Sequence, residues 1–268
     1  MKIIFTNYLN HNSSIENGGF YPELAALSNY YAQKHGYKTH FFGDPKSIEL
    51  VKNIEYDYIT ELPIEKLNSI PSCLWSLSKF VSIDMVNEPF LHLDIDFIMK
   101  EPIDKKILNS EIICFYSEKF VMSKTKALQD AFYVHPINKI NLDPLSYNCA
   151  VLGGQNFEYI KSKTNFLLEY VFKNKDYFYY LNILFNYFLS VKKIESFYFP
   201  PVLIEQIWLF QLFKEDNKKI TKILEDPISW NDMREKCVER KLLHLMGNEK
   251  ILHKYDIIKY VKKLNIIY

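Results

Sequence analysis

The 268-residue chain lacks several features that would assign it to a common class of protein. Its charges nearly cancel, with 33 basic and 32 acidic residues, so no broad positive surface is available for nucleic acid or an anionic membrane. Its four cysteines lie far apart and form no CxxC pair. They are predicted to be reduced core thiols in a cytoplasmic protein.

The sequence also predicts neither a targeting segment nor a membrane-spanning segment. MKIIFTNYLN is strand-like and does not show the charged, apolar and small-residue zones of a signal peptide. The most apolar long region, residues 165–191, is interrupted by charged residues and is too polar for a spanning helix. We therefore expect a cytoplasmic protein without a transmembrane segment.

What the chain does contain is an alternation of strand-like and helix-like segments. MKIIFTNY predicts a buried strand, YPELAALSNYYAQKHGY an amphipathic helix ended by Gly36, and KTHFFGD a second strand. Later strands are predicted in PFLHLDID, EIICFYSE and SYNCAVLGG, and helices in WSLSKFVSIDMVN, residues 158–191 and EQIWLFQLFKE. We expect one α/β domain over residues 1–268, with a mostly parallel central sheet flanked by helices.

Two acids follow the strand-like run in FLHLDIDFIMKEP. Residues i and i+2 of a strand point to the same face, so Asp94 and Asp96 are expected to project together. Two carboxylates that close repel each other, and a divalent cation relieves the repulsion. The alternative is a pair of solvated turn residues. The carboxyl ends of strands are where open parallel sheets bind ligands, which favours the functional interpretation.

A second group of polar residues stands near the end of the chain, in HLMGNEK. His244, Gly247 and Lys250 have the spacing HxxGxxK. A neutral imidazole ligates manganese well beside carboxylates, glycine permits a close backbone approach, and lysine offers a positive charge to a phosphate. Taken singly, the three would be an ordinary core or surface histidine, a helix cap and a solvated lysine.

In order along the chain, these motifs resemble those of the GT-A fold glycosyltransferases, and most of all the group that contains glycogenin and the bacterial lipopolysaccharide galactosyltransferases. The matching pieces are LDID at 93–96, YNCAVLGG at 147–154, EQ at 205–206 and HLMGNEK at 244–250. The chain departs from the usual pattern at Ala150, at Glu205, and at Ile251 and Leu252. There the family usually has glycine, aspartate and a Pro-Trp pair.

The resemblance implies a single Rossmann-like GT-A domain that binds a nucleotide sugar, UDP-linked above all, through Mn²⁺ or Mg²⁺. It implies metal ligands at Asp94, Asp96 and His244. It implies contacts with the donor from a larger set: Thr6, Asn7, Tyr8, Lys79, Asp94, Asn148, Gly247 and Lys250. Glu205 and Gln206 would face the reacting sugar. The nucleotide-binding part would cover about residues 1–116 and the acceptor-side part about 117–268.

Several alternatives stay open at this stage. Relatives with HxxGxxK retain the anomeric configuration, whereas an inverting enzyme would need a carboxylate base such as Glu205. The same acids and His244 could serve a metal-dependent phosphoesterase, although no HxH or GDxH cluster is present to complete a two-metal site. A non-catalytic nucleotide-sugar-binding module is the third possibility. The sequence does not identify the acceptor, whether a glycan, a lipid-linked molecule or a peptide.

Overall fold

The computed structural model describes residues 1–9, 22–70, 72–118, 146–180, 183, 203–244 and 253–266. The strands of this part of the chain are β1 Lys2–Asn7, β2 Thr39–Gly43, β3 Tyr58–Glu61, β4 Phe90–Leu93, β5 Phe97–Met99, β6 Ile112–Cys114, β7 Ser117–Glu118, β8 Ser146–Tyr147, β9 Val151–Gly154, β10 Ile220–Lys222 and β11 Leu242–His244.

The α-helices are α1 Pro22–Lys34, α2 Pro45–Val51, α3 Ile64–Asn68, α4 Ser78–Asp84, α5 Lys105–Leu108, α6 Phe157–Lys173, α7 Leu209–Glu215, α8 Trp230–Glu239 and α9 Lys254–Lys263. A 3₁₀ segment, Ser72–Leu77, leads into α4, and a π-helical segment, Leu203–Trp208, leads into α7. Residues 175–180 are also helical. None of the helices in the described residues is both long enough and apolar enough to cross a membrane.

Seven strands form the central sheet, in the order β10-β6-β9-β4-β1-β2-β3. All run parallel except β9, which is antiparallel to both of its neighbours, β4 and β6. The predicted α/β architecture with a mostly parallel sheet is confirmed. The sheet takes strands from both the predicted nucleotide-binding part and the predicted acceptor-side part, and that division stays a prediction.

The two faces of the sheet are each covered by helices, which explains why its strands read as continuous apolar runs. On one face, Ile4 of β1 belongs to a buried cluster with Phe80 of α4 and Leu167 of α6. On the other face, Ile3 and Phe5 belong to a cluster with residues of α1 and α8. Among the described residues, one group of buried polar side chains lies near the carboxyl end of β4: Lys79, His92, Asp96, Asn148 and Glu205.

The predicted strand PFLHLDID is shorter than expected, because β4 ends at Leu93. The backbone N–H of Asp94 still pairs with the carbonyl of Ala150 at 2.9 Å, but the N–H of Phe97 folds back to the carbonyl of Asp94, also at 2.9 Å. This contact closes a turn over residues 94–97. The turn leads into β5, which leaves the central sheet and pairs antiparallel with β11.

SYNCAVLGG likewise forms two short strands rather than one, β8 and β9. Gly153 in β9 is required by close strand contact, since a Cβ there would lie 2.2 Å from the carbonyl oxygen of Phe90 in β4. The glycine therefore draws β9 tightly against β4. This packing brings the loop before β9, which contains Asn148 and Cys149, beside the turn that carries the two acids.

Candidate metal and donor site

The two acids come together through the turn after β4, not through the side-chain alternation of a strand. Asp94 is the first residue of the turn and Asp96 the third. Asp96 is buried, with 5% of its surface exposed, while the side chain of Asp94 is 33% exposed. One acid thus lies in the protein interior and the other at the surface of the site.

His244 reaches the acids through strand pairing. It is the last residue of β11, and the antiparallel register with β5 sets it opposite Phe97, the residue next to Asp96. Its ring also lies near Phe115, with ring centroids 5.9 Å apart and the two planes almost perpendicular. The register and the aromatic neighbours together hold the imidazole beside a carboxylate that is distant in sequence.

The resulting cluster suits a divalent cation. One ligand atom from each of Asp94, Asp96 and His244 lies within 4.8 Å of the others. Nε2 of His244 is 3.8 Å from Oδ1 of Asp96, which is longer than a hydrogen bond. Two ligands of one Mg²⁺-sized ion lie about 3 Å apart when adjacent and about 4 Å apart when opposite. The donor set therefore suits a cation that accepts carboxylate and imidazole ligands, and the 4.8 Å bound on its atom separations is about 1 Å wider than the distance between opposite ligands.

Lys79 of α4 is a buried cation beside this cluster. Its ammonium group contacts three acceptors, donating to the carbonyl of Cys149 at 2.8 Å and pairing with Oε1 of Glu205 at 2.5 Å and Oδ1 of Asp94 at 2.9 Å. Burial alone would lower the pKa of Lys79, but Asp94 and Glu205 outweigh it and raise that pKa. All three protons of the charged Lys79 ammonium group are therefore directed at acceptors inside the protein.

Glu205 lies in the π-helical segment before α7, and its carboxylate is turned toward Lys79. Burial raises the pKa of Glu205, and the positive charge of Lys79 opposes the rise. The backbone carbonyl of Glu205 accepts a contact from the thiol of Cys149 at 3.3 Å. Gln206, the other residue predicted to face the sugar, is half-buried on the same segment.

His92 is a site residue that the sequence reasoning missed. It is 1% exposed, lies in β4 and precedes Asp94 by two residues. Its Nδ1 atom is 4.0 Å from Oδ1 of Asp94, and its Nε2 atom is 3.1 Å from the hydroxyl of Thr6. Burial and the nearby Lys79 lower the pKa of His92 well below its ordinary value, against the opposing effect of Asp94. The histidine inside the apolar run FLHLD was the signal that could have revealed it.

The residues predicted at the end of β1 separate into two groups. The hydroxyl of Thr6 is 2.6 Å from that of Ser82 and faces α4. Asn7 donates to the hydroxyl of Ser47 at 2.9 Å, and the hydroxyl of Tyr8 lies 3.4 Å from Asn68. Asn7 and Tyr8 therefore border a polar region at the carboxyl ends of β1 and β2, while the hydroxyl of Thr6 contacts Ser82 and His92.

Asn148 is buried next to the turn over residues 94–97, the acid turn. Its side-chain oxygen accepts from the N–H of Ala150 at 2.9 Å, which stabilises the tight loop into β9. The two remaining predicted donor contacts, Gly247 and Lys250, lie outside the described residues. The described structure therefore brings together Lys79, Asp94, Asp96, Asn148, Glu205 and His244.

Comparison with known proteins places the chain in a family. Residues 1–265 match a family of unknown function, DUF6734. The chain belongs to this family. No curated protein matches the DUF6734 chain.

Three solved structures are similar to the DUF6734 chain at low identity. The galactosyltransferase LgtC, in complex with donor and acceptor sugar analogs, is 14% identical over 66% of each chain, just under two thirds of that enzyme, with a TM-score of 0.43. Mouse xyloside xylosyltransferase 1 in its apo form is 12% identical, over 82% of this chain and 84% of its own, with a TM-score of 0.41. The PaToxG glycosyltransferase is 12% identical, over 89% and 74%, with a TM-score of 0.37.

Proposed function

We propose that this protein is a metal-dependent glycosyltransferase that transfers a sugar from a UDP-sugar to an acceptor with retention of configuration. The observation that carries the proposal is the meeting of Asp94, Asp96 and His244, whose ligand atoms lie within 4.8 Å of one another across 150 residues of sequence. The acids and the histidine are the residue types that the DxD and HxxGxxK resemblance assigns to the metal.

In this proposal, Asp94, Asp96 and His244 hold Mn²⁺ or Mg²⁺, with Asp96 and His244 as the buried ligands. A cation held there would supply positive charge to offset the negative charge that develops on the diphosphate leaving group. The resemblance assigns Lys250, six residues after His244, a second positive charge for the diphosphate, and it assigns Gly247 to the donor contacts as well. Asn7 and Tyr8 border the nucleobase at the carboxyl end of β1.

The contacts of Lys79 support retention over inversion. An inverting enzyme needs a carboxylate base that reaches the acceptor hydroxyl. Glu205 is the candidate base, but its carboxylate is buried and paired with Lys79 at 2.5 Å. We therefore assign Lys79 to orienting Asp94, and Glu205 to fixing Lys79, with Gln206 and Asn148 nearer the transferred sugar.

The same proposal covers the whole chain as one domain with a cytoplasmic location. Cys114, Cys149 and Cys237 are free and buried, as expected for a reducing compartment. The candidate acceptors are glycans, lipid-linked molecules and peptides.

The test is a donor-hydrolysis screen, in which slow release of free sugar is measured from a panel of UDP- and GDP-sugars with Mn²⁺. We expect release from at least one UDP-sugar, and loss of that release in Asp96→Asn. The matched control is Asp256→Asn, since the side chain of Asp256 is 84% exposed on α9 and its ion pair is with His253. Release that survives in Asp96→Asn would contradict the proposal.

Two other results would point to the alternative functions. Tight Mn²⁺-dependent binding of UDP without turnover of any nucleotide sugar would indicate a non-catalytic module. Phosphate release from simple esters would indicate a phosphoesterase.

A further inference from the structure

Of the two ring nitrogens of His92, one has a hydrogen-bond partner among the described residues and the other has none. Nε2 lies 3.1 Å from the hydroxyl of Thr6. Nδ1 is buried, and no hydrogen-bond partner for it occurs among the described residues. A buried polar atom without a partner is costly, so its retention in a fully buried side chain calls for a ligand-dependent role.

The hydrogen bonds around His92 determine which nitrogen carries the proton. Three contacts form a chain: the carbonyl of Lys79 with the hydroxyl of Ser82 at 2.8 Å, that hydroxyl with Thr6 at 2.6 Å, and Thr6 with Nε2 of His92 at 3.1 Å. A carbonyl only accepts, so Ser82 donates to it. Thr6 must then donate to Ser82, and Nε2–H of His92 must donate to Thr6.

This chain leaves Nδ1 as an acceptor that faces a second acceptor. Oδ1 of Asp94 is 4.0 Å away. If Nδ1 also carried a proton, the charged pair would close to a hydrogen bond of about 2.8 Å. Lys79 cannot donate to Nδ1, because its three protons are already directed at Cys149, Glu205 and Asp94. The group that satisfies both acceptors must therefore bring two protons on one atom.

Water meets this requirement geometrically. A water about 2.8 Å from each acceptor makes two hydrogen bonds at an angle of about 90°, close to its own bond angle. Such a water keeps a lone pair for a cation, and Mg²⁺-like ions usually retain several waters when proteins bind them.

We propose that His92 is a positioning residue for the cation site, and that Nδ1 of His92 and Oδ1 of Asp94 share a water molecule bound to the divalent cation. This inference rests on the metal dependence of the proposed function. His92 thus adds an outer contact to a site whose direct ligands are Asp94, Asp96 and His244. Outer contacts of this kind typically change metal affinity about 10- to 100-fold.

The first test is the tautomer of His92 in the cation-free protein, read by long-range ¹H–¹⁵N NMR of ¹⁵N-histidine-labelled full-length chain. We expect the proton on Nε2 and none on Nδ1, and a shift of the Nδ1 resonance on adding Mg²⁺. The signal is assigned by its loss in His92→Asn. A proton on Nδ1 in the cation-free protein would overturn the inference without any variant.

The second test compares two substitutions by calorimetric titration with Mn²⁺. In His92→Asn the side-chain oxygen can replace Nδ1 beside Asp94, whereas His92→Gln preserves only the bond toward Thr6. We expect at least about a 10-fold loss of Mn²⁺ affinity in His92→Gln and substantial recovery in His92→Asn. A purely structural role would not favour Asn over Gln.

His40→Gln is the matched control. In the sheet register, His40 and His92 both lie opposite Ile4, and the Nε2 atom of His40 contacts the hydroxyl of Thr60 at 2.7 Å. This variant should bind Mn²⁺ as the wild type does. If the wild type binds Mn²⁺ and His92→Gln binds it equally well, the inference fails alone. If the wild type binds none, the metal-dependent function fails with it.

Discussion

At the scale of single residues, the site is organised by Lys79. A lysine that is almost fully buried is unusual, and it is tolerated only when its charge is paired and its protons are used. Here the ammonium group joins the loop before β9, the π-helical segment and the acid turn. The sequence predicted that Lys79 would lie near the donor, but its pairing with Glu205, 126 residues away, required the structure.

Replacing Lys79 with Met should therefore destabilise the protein. The substitution keeps the length of the side chain but leaves buried Glu205 and half-exposed Asp94 without their cation, which should cost about 3–5 kcal/mol of unfolding free energy. Urea denaturation at pH 7.5 measures this change. The double variant Lys79→Met with Glu205→Leu removes both buried charges and should recover much of the loss. A cost below about 1 kcal/mol for Lys79→Met alone would contradict this account.

At the scale of elements, the site depends on two short pieces, the turn over residues 94–97 and the pairing of β5 with β11. The apolar run before Asp94 predicted β4, and parallel-sheet logic predicted acids at its carboxyl end. The turn was not predictable, since periodicity cannot distinguish a strand that continues to Asp96 from one that ends at Leu93. The pairing of β5 with β11 was also missed, because three-residue strands carry too little pattern to be recognised.

The β2–β3 strand pair yields a prediction of pH dependence. Burial and the positive charge of Lys2 lower the pKa of His40 to about 4 from an ordinary value near 6.5, and Glu88 opposes this change. The neutral ring stacks on Phe42 with centroids 4.0 Å apart. As the pH falls, His40 takes up a proton in the unfolded chain before it does so in the folded protein. The stability that the neutral His40 ring contributes is therefore complete above pH 6.5 and is lost progressively toward pH 4.

We expect the unfolding free energy to fall by about 1–2 kcal/mol more between pH 7 and pH 5 in the wild type than in His40→Gln. Urea denaturation of both proteins at several pH values measures the difference, in which other titrating groups cancel. Parallel pH profiles for the two proteins would show that His40 is not held neutral.

At the scale of the whole molecule, the order of elements along the chain predicted the fold class, because strands buried on both faces and the helices between them have distinct periodicities. The meeting of Asp94, Asp96 and His244 also followed from motif order, as an expectation from the resemblance. The hydroxyl chain from Ser82 through Thr6 to His92 did not, since each residue alone is unremarkable and only the packing of α4 on β1 and β4 brings them together.

The central claim is that the acid turn and His244 form one cation-dependent nucleotide site. It is tested most directly by the thermal unfolding of the full chain with UDP, Mn²⁺, both or neither. UDP and Mn²⁺ together, at about 100 times the dissociation constant, should stabilise the wild type by about 2.7 kcal/mol, which neither alone should match. Asp96→Asn should lose this joint effect, and Asp256→Asn should keep it. Equal stabilisation by UDP with and without Mn²⁺, or a full joint effect in Asp96→Asn, would contradict the account.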